Sequence, residues 1–423
     1  MQFEEGLFRR DSGRMVAALT RIFGLENLAL AEDVVQDAFC RAVEVWKLRG
    51  LPENPSAWLM RTAKNRAIDL LRRERTARNL LPKLANVFES EWTLVPTVHQ
   101  FFDPQTIEDD QLRMMFSCCD PALSQEAQIA LILNLLCGFT ANEIANAFLS
   151  SRSAIEKRIA RGKNTLAASK RLFDLSDSDF TGRLAAVHRA LYLLFNEGYH
   201  GASPHGAVRS ELCREAMRLA SLLLEQPLTA TPPSYALCAL MWLHAARLPA
   251  RVDDAGNLTS LLLQDRSRWD AVLASKGENF LERAARGDEL SEYHIEAAIA
   301  AVHAKAAYAE ETDWAAIVSM YDALMKLRPS PVIGLNRAIA IAQKDGAKRG
   351  LEEIRAISGK ERLESYPFYF AALGEFELRA GSHDAAGRYF ERALALARNS
   401  SERRFLEARI AAARDARAAA QIR

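Results

Sequence analysis

The sequence predicts an all-α protein built from several domains, and three observations lead there. No long run of alternating β-branched residues of the kind that forms strands is present. Helical periodicity dominates instead, in segments filled by Ala, Leu, Arg and Glu. The chain has 423 residues, which at roughly 100–200 residues per domain predicts about two to four domains.

Composition excludes several classes of protein. The chain carries 55 Lys and Arg against 54 Asp and Glu, which excludes a wholly basic, histone-like binder but leaves room for local basic patches. A hydrophobic fraction of 49% is typical of a folded soluble protein rather than a disordered one. The sequence lacks a run of 18 apolar residues, and no apolar signal segment follows MQFEEGLFRRDSGR. We therefore expect a cytoplasmic protein without membrane spans.

The cysteines indicate reduced thiols rather than disulfides. None of the six forms a CxxC pair, and neighbouring cysteines do not bridge easily. We expect them to be small buried residues and predict no cofactor. A zinc site formed by Cys213 with His200 and His205 is the less favoured alternative, because this spacing matches no standard ligand pattern. The six are Cys40, Cys118, Cys119, Cys137, Cys213 and Cys238.

Changes in pattern divide the chain into five parts. A helical block over 1–80 is followed by a proline-containing linker over 81–108 and a second helical block over 109–172. A long Ala-rich helical extension then runs from about 175 to the end. Breaks at Thr231–Pro233 and Leu248–Asn257 divide it, and we place its domains at 175–285 and 286–423.

Helix-opening patterns recur late in the chain. Asp313–Ala316 opens one predicted helix that closes near Leu327–Pro329, and His383–Ala386 opens another that runs through Ala393 and Leu394. A third starts near Ala347. The resulting period of roughly 35 residues is typical of tetratricopeptide repeats. We therefore predict a tetratricopeptide-like α-solenoid, with an irregular helical bundle as the alternative.

The first chemically informative segment is AEDVVQDAFCRAVEVW, residues 31–46. On a helix, Asp33, Gln36 and Asp37 share one face at positions i, i+3 and i+4. An acidic face of this kind suits a basic partner helix, since complementary charge steers association and sets register. A solvated helix face is the alternative. The opposite stripe should face a core, through Val35, Ala38, Phe39, Ala42 and Trp46.

The second segment is NPSAWLMRTAKNRAIDLLRRERTAR, residues 54–78. Asn54–Ser56 is typical of a turn and helix cap, so a helix should start near Ala57. Between Arg61 and Arg78 the chain has seven basic and two acidic residues, a local charge of +5. Such a stripe fits a phosphate backbone, and Arg61 and Asn65 could also hydrogen-bond bases. A solvated basic face is the alternative. We expect apolar contacts from Trp58, Leu59, Ala63, Ala67, Leu70 and Leu71.

The third segment has the pattern of a helix-turn-helix. After an apolar helix over 126–136, Thr140 and Glu143 form a capping box that opens a short helix. Ser151 caps a second, basic helix that starts RSAIEKRIARGK. Two short helices with a basic second member are typical of DNA-binding proteins, although Leu149 and Ser150 make an unusual turn. The pair should pack through Ile144, Phe148, Ile155 and Ile159.

The order of these segments resembles an extracytoplasmic-function (ECF) sigma factor of bacterial RNA polymerase. The first two segments are similar to that family's region 2 and the helix-turn-helix to its region 4, so the resemblance covers residues 8–172. The stretch Tyr192–Tyr199 and the repeats after it are similar to the C-terminal extension of one subgroup, which replaces or supplements an anti-sigma factor. Sigma factors of this family often end near 175–200, so the extension departs from the usual length.

The resemblance implies a role for each segment. The face of Asp33, Gln36 and Asp37 would contact the β′ clamp helices of core RNA polymerase. The loop Leu51–Ser56 and the helix after it would capture an unstacked −10 base and follow the −10 strand, through Asn54, Trp58, Arg61, Lys64, Asn65, Arg66, Arg72 and Arg73. The recognition helix would read the −35 element and hold its phosphates, through Arg152, Ser153, Glu156, Lys157, Arg158, Arg161 and Lys163.

The extension as a whole is not expected to bind nucleic acid; a protein, a peptide or its own sigma blocks are the possible partners. From residue 174 onward it has 32 basic and 33 acidic residues, and solenoids present surfaces for peptides or partner helices. Asn196, Glu197 and Tyr199 lie in an unusual glycine-containing stretch, in which Gly198 should end a helix. The carboxylate of this stretch with His188, His200 and His205 could indicate an enzyme site, but no nucleophile–base spacing or phosphate-binding glycine loop accompanies them, so we expect no enzyme. We hypothesise that residues 175–423 contact both sigma blocks and regulate them. The alternative is a helix-turn-helix regulator or tetratricopeptide scaffold that does not engage polymerase.

Overall fold

A computed structural model describes residues 2–24, 27–77, 104–147, 150–169, 175–200, 208–253 and 257–421. Within these ranges the chain is 80% helical, with 18 α-helices and no strands, and one isolated bridge joins Val252 to Leu258. The predicted all-α class is therefore confirmed. No helix in the described ranges is long and apolar enough to cross a membrane.

The chain forms two compact units. One contains Met1–Leu194 and Glu225–Thr229, and the other contains Phe195–Leu224 and Ala230–Arg423. We call them the N-terminal unit and the C-terminal unit. The division falls within a helix at 194 and 195, about twenty residues after the start of the predicted extension.

Three long helices form the first part of the N-terminal unit: α1 (Gln2–Phe23), α2 (Leu28–Arg49) and α3 (Pro55–Ala77). Gly24 and Gly50 follow α1 and α2 with φ of 85° and 79°, a left-handed conformation that glycine adopts without steric penalty. Apolar side chains from all three helices are buried where the helices meet, among them Leu19, Val35 and Leu59. This packing holds the polar faces of α2 and α3 toward solvent.

The second part of this unit contains α4 (Pro104–Cys118), α5 (Gln125–Leu135), α6 (Ala141–Ala147) and α7 (Arg152–Ser169). The predicted C-terminal boundary of the linker, residue 108, is wrong, because α4 already begins at Pro104. Proline is well tolerated in the first helical turn, so this residue opens a helix rather than breaking one. The rest of that linker, up to residue 103, lies outside the described residues.

Helix α8 (Asp177–His200) corrects one prediction from the sequence. Gly198 was expected to end a helix, yet α8 continues past it. A Cβ at Gly198 would lie 2.8 Å from the backbone N of Cys213 and 2.9 Å from the carbonyl O of Arg209. The glycine therefore permits the close approach of the next helix, and this tertiary requirement overrides its usual meaning as a helix terminator.

The C-terminal unit continues with ten further helices and several 3₁₀ turns. The helical run is interrupted before α10, which begins at Pro232 with proline in its first turn, and again at Leu248–Ala250, which forms a 3₁₀ turn. Residues 254–256 of the second predicted break lie outside the described residues. The ten helices are α9 (Ser210–Glu225), α10 (Pro232–Ala245), α11 (Ala271–Ala284), α12 (Glu292–Lys305), α13 (Trp314–Leu327), α14 (Pro331–Asp345), α15 (Ala347–Arg355), α16 (Pro367–Arg379), α17 (His383–Ala395) and α18 (Ser400–Gln421).

The predicted repeat helices are present in this unit. Helices α13, α15 and α17 start at residues 314, 347 and 383, which are 33 and 36 residues apart. Asp313 caps α13 by accepting a hydrogen bond from the Ala316 N–H at 2.9 Å. The C-terminal helical solenoid is thereby confirmed. Its assignment to the tetratricopeptide class stays a prediction.

Candidate functional site

The acidic face predicted on α2 is exposed. Asp33, Gln36 and Asp37 lie on the solvent side of the helix, while Val34 and Ala38 are buried on the other side. Asp37 and Arg66 of α3 form an ion pair of 3.4 Å between side chains that are 60% and 39% exposed. An exposed pair of this kind adds little stability, so Asp37 stays available to a partner. Of the predicted core stripe, Phe39 and Trp46 are only half-buried.

Two tryptophan rings meet at the start of α3. Asn54 caps the helix, since its side-chain oxygen accepts from the Ala57 N–H at 3.0 Å. Trp58 in the first turn packs edge-on against Trp46 of α2, with ring centroids 5.4 Å apart. Leu48 in the last turn of α2 and Leu51 in the segment that joins the two helices are 87% and 53% exposed. Aromatic and apolar surface exposed beside a basic helix suits the stacking of an unpaired base.

The basic residues of α3 lie on the face away from its core. Arg61, Asn65, Arg72 and Arg73 are exposed, and Lys64 and Arg66 are half-buried. Partial burial and the nearby charge of Arg61 lower the pKa of Lys64. A bound phosphate stabilises cations that lie close to one another, because its negative charge offsets the repulsion between them. The core side of α3 consists of Leu59, Ala63, Ala67, Ile68 and Leu71.

The helix-turn-helix geometry is present in α6 and α7. Thr140 N–H donates to the Glu143 carboxylate at 2.9 Å, and Glu143 N–H donates to Thr140 Oγ1 at 3.3 Å, so the predicted capping box forms. Ile144 and Ile155 are fully buried between the helices. A Cβ on Gly162 would come within 2.7 Å of the Leu131 side chain. The glycine therefore allows α7 to pack closely on α5. Phe148 and Leu149 lie outside the described residues.

The first turns of α7 present the residues predicted to read bases. Ser151 caps the helix by accepting from the Ala154 N–H at 3.3 Å. The side chains of the next two turns are exposed, and Arg152 forms an ion pair with Glu156 at 2.7 Å. The guanidinium is therefore held along the helix surface unless a base competes for it. These exposed residues are Arg152, Ser153, Glu156 and Lys157.

The cations further along α7 differ in their surroundings. Arg161 is exposed and Arg158 is half-buried. Lys163, however, donates to both carboxylate oxygens of Glu32 on α2, at 2.6 and 2.9 Å. The structure thus joins the helix that carries the acidic face to the predicted recognition helix. In this arrangement Lys163 contacts a carboxylate, whereas the sequence predicted a phosphate.

Two further contacts join the same parts of the N-terminal unit, and sequence reasoning missed both. Arg21 of α1 forms a 2.8 Å ion pair with Asp110 of α4, whose side chain is fully buried. A Cβ on Gly13 would lie 2.1 Å from the carbonyl O of Leu136, so the backbones of α1 and the end of α5 are in direct contact. The partners are far apart in sequence, and no local pattern indicates them.

The cysteines form no metal site within the described residues. No group of three or more His, Cys, Asp or Glu side chains there is arranged to hold a metal ion. The zinc alternative also required His205, which lies outside the described residues. Cys213 is buried, and its thiol approaches the Phe195 carbonyl O at 3.7 Å. Burial raises the pKa of this thiol to about 12, so it packs as a neutral group.

Comparison with known proteins agrees with this geometry. Residues 7–77, which span most of α1 and all of α2 and α3, match sigma-70 region 2. Residues 183–285 match a family of unknown function, DUF6596. An uncharacterized protein of Rhizobium meliloti (strain 1021) is 38% identical over 394 residues, which cover 92% of this chain and 91% of that protein.

The region 2 match supports a sigma factor that takes part in transcription initiation and implies contacts with core RNA polymerase and promoter DNA. The resemblance to the Rhizobium meliloti protein spans both units. The chain therefore belongs to the same family as that protein, and it carries a sigma-70 region 2 domain at its N-terminus.

Proposed function

We propose that the chain is an ECF-type sigma factor whose C-terminal extension regulates its activity, and that it acts by binding rather than catalysis. One observation carries the proposal: three exposed faces of different chemistry lie on neighbouring helices of the N-terminal unit. The acidic face of α2 suits the β′ clamp helices. The aromatic and basic face of α3 suits the −10 strand, and the basic face of α7 suits the −35 duplex.

The physical requirements of promoter binding support this division of roles. Holding an unpaired base outside the duplex costs a few kcal/mol of lost stacking, roughly, which a surface such as Trp58 and the leucines beside it can offset. Phosphate contacts then position the protein, and base contacts add sequence preference. The exposed residues of α3 and of the start of α7 have both kinds of side chain.

The ion pair between Lys163 and Glu32 bears on how both DNA elements are engaged. Promoter elements at −10 and −35 are separated by about 25 base pairs, or about 85 Å at roughly 3.4 Å per base pair. A recognition helix in direct contact with α2 is far too close to span that distance. We propose that the arrangement in the structure is a resting one, and that Lys163 leaves Glu32 when promoter DNA binds.

Contacts at the start of the extension support its regulatory role. Phe180 of α8 packs on Phe116 of α4, with ring centroids 4.8 Å apart. Arg183 donates to the Phe116 carbonyl O at 3.2 Å and pairs with Asp179 at 3.0 Å. The first turns of the extension therefore pack on the same part of the N-terminal unit as the helix-turn-helix. A movement of α8 would therefore change its contacts with α4.

The test is charge reversal on the acidic face, with the full chain and purified core RNA polymerase. We expect D33K/D37K to abolish binding to core polymerase while leaving the unfolding midpoint unchanged, because both carboxylates are exposed. Glu44 is exposed on the same helix beyond the acidic face, so E44K is the matched control and should bind normally. Unchanged affinity for D33K/D37K would refute the proposal and favour a regulator that does not engage polymerase.

A further inference from the structure

A stack of arginines and aromatic rings lies inside the C-terminal unit. The Arg251 guanidinium lies 4.3 Å from the centroid of the Tyr199 ring. Arg247 lies 6.0 Å from the same ring and 5.4 Å from the Trp269 ring. Arg266 lies 5.1 Å from the other ring, that of Trp269. We call these five residues the arginine stack. It brings three positive charges together through two rings.

Two of the three arginines are held by hydrogen bonds. Arg266 donates to the carbonyl oxygens of His303 and Ala306 and to Thr312 Oγ1, at 2.8 to 2.9 Å. Arg251 donates to the Tyr199 carbonyl O and contacts His200 Nδ1. All these partners are neutral. Glu310 and Glu311 are close enough to act on the charge of Arg266, but neither forms an ion pair with the stack.

Arg247 is the exception. Its residue is only 6% exposed, and its Nε atom is buried without a hydrogen-bond partner in the described part of the chain. The groups that act on its charge are Tyr199, Tyr321 and Arg251, with no carboxylate among them, and burial lowers its pKa. Proteins bury a charged group almost only when it is paired. Arg337 of α14 shows the usual solution, since it pairs with Asp322 and Glu353 at 2.6 Å each.

Other polar atoms near the stack also lack partners within the described ranges. They are the Tyr199 hydroxyl, the Trp269 indole N–H, and the Nδ1 atoms of His244 and His303. The hydroxyl and the indole are donors, and a neutral imidazole can donate from either nitrogen. Burial and the charge of Arg247 hold the pKa of His303 near 3, so this ring is neutral at pH 7. Among the described residues, these atoms add to the donors around the stack, and no carboxylate forms an ion pair with its arginines.

We propose that the arginine stack is a binding site for a small oxyanion, the phosphate or carboxylate group of a soluble ligand. A group of this kind supplies negative charge and several acceptor oxygens at once, and guanidinium forks match it in geometry. The burial of Arg247 favours a small ligand, because a macromolecular phosphate backbone requires an exposed cationic face. The arginine stack lies within residues 183–285, and its flanking contacts are to His303, Ala306 and Thr312. The proposal therefore gives that segment a function independent of promoter binding.

The test uses the full chain in a buffer whose only anion is chloride, with phosphate or acetate added at matched ionic strength. We expect one of the two to raise the unfolding midpoint by several degrees at about 50 mM, because a ligand that binds only the folded state stabilises it. A rise with phosphate assigns a phosphate ligand, and a rise with acetate assigns a carboxylate. Quenching or enhancement of tryptophan fluorescence should follow the same titration, since Trp269 lies in the stack. If neither anion exceeds chloride, the proposal fails.

Substitution of Arg247 gives the sharper outcome. Because the unpaired charge destabilises the fold without ligand, Arg247→Met should raise the midpoint in chloride and lose the response to the oxyanion. Arg247→Lys keeps the charge but not the fork, and should fold with a weakened response. The matched control is Arg337→Gln, which should lower the midpoint and keep the response. A lower midpoint for Arg247→Met, or a response equal to wild type, would show that the arginine is structural and overturn the proposal.

Discussion

The two units use arginine in opposite ways. In the N-terminal unit Arg61, Arg72 and Arg73 lie on an exposed helix face, whereas in the C-terminal unit Arg247 is buried between aromatic rings. An exposed guanidinium is hydrated and gains chiefly by displacing counterions from a polyanion. A buried one has already lost its hydration, so it needs a specific partner in contact. The same side chain therefore indicates a long, sequence-tolerant ligand in one unit and a small, enclosed ligand in the other.

The largest expected effect comes from removing the exposed arginines of α3. Arg61→Ala/Arg72→Ala/Arg73→Ala should leave the unfolding midpoint almost unchanged, since exposed substitutions rarely exceed about 0.5 kcal/mol. Binding of the holoenzyme to promoter DNA should weaken strongly. The slope of the logarithm of the binding constant against the logarithm of the salt concentration should fall in magnitude by about three, one for each lost phosphate contact. The measurement is a salt titration by fluorescence anisotropy with the DNA upstream of the chain's own gene. An unchanged slope would show that α3 does not follow the DNA backbone.

Local patterns in the sequence predicted the exposed half of this comparison well. The capping box of Thr140 and Glu143 needs only residues three apart, and it forms as expected. The basic stripe of α3 was predictable because its charges are closely spaced on one helix. The acidic face of α2 was predictable for the same reason. Helix signals and charge density are properties of short segments, so one sequence contains them.

The buried half depends on contacts between distant segments. Glu32 and Lys163 are separated by 131 residues, and Tyr199 lies in α8 whereas Arg247 lies in the turn after α10. No local sequence pattern distinguishes Arg247 from an exposed arginine. The sequence contains the aromatic residues at 199 and 269, but it does not show that they lie close to Arg247. The prediction that Gly198 ends a helix was wrong for a related reason. Glycine often follows the end of a helix, but here it permits close packing against Cys213, which is distant in sequence.

The buried charges should also make the C-terminal unit sensitive to acid. The folded pKa of His303 is about 3 because of burial, Arg247 and Arg266, whereas an unfolded histidine titrates near 6.5. Between those values the unfolded chain binds one proton more, so the free energy of unfolding falls as pH decreases, by up to about 1.4 kcal/mol per pH unit. His303→Gln should remove this contribution and flatten the profile of unfolding midpoint against pH from about 6.5 downward.

A second histidine on the same helix provides the control for that profile. Burial lowers the pKa of His294 too, but Glu289 and hydrogen bonds to the backbone act in the opposite direction. His294→Gln should therefore flatten the profile less than His303→Gln. Equal profiles for the two variants would show that the arginines have no particular effect on His303, and would weaken the contrast between the buried and the exposed charges.

The smallest expected effects separate the cations of α7 from one another. Arg158→Ala and Arg161→Ala should each weaken DNA binding across sequences and lower the salt dependence by about one. Lys163→Ala should reduce the affinity less than Arg161→Ala, because Lys163 must first leave Glu32, and that ion pair offsets part of what a phosphate contributes. Anisotropy titrations of the three variants on one promoter and one unrelated duplex measure both effects. A loss of affinity confined to a single base position would instead place the residue among the base readers at the start of α7. An equal loss of affinity for Lys163→Ala and Arg161→Ala would mean that the pair of Lys163 with Glu32 contributes nothing to the resting arrangement.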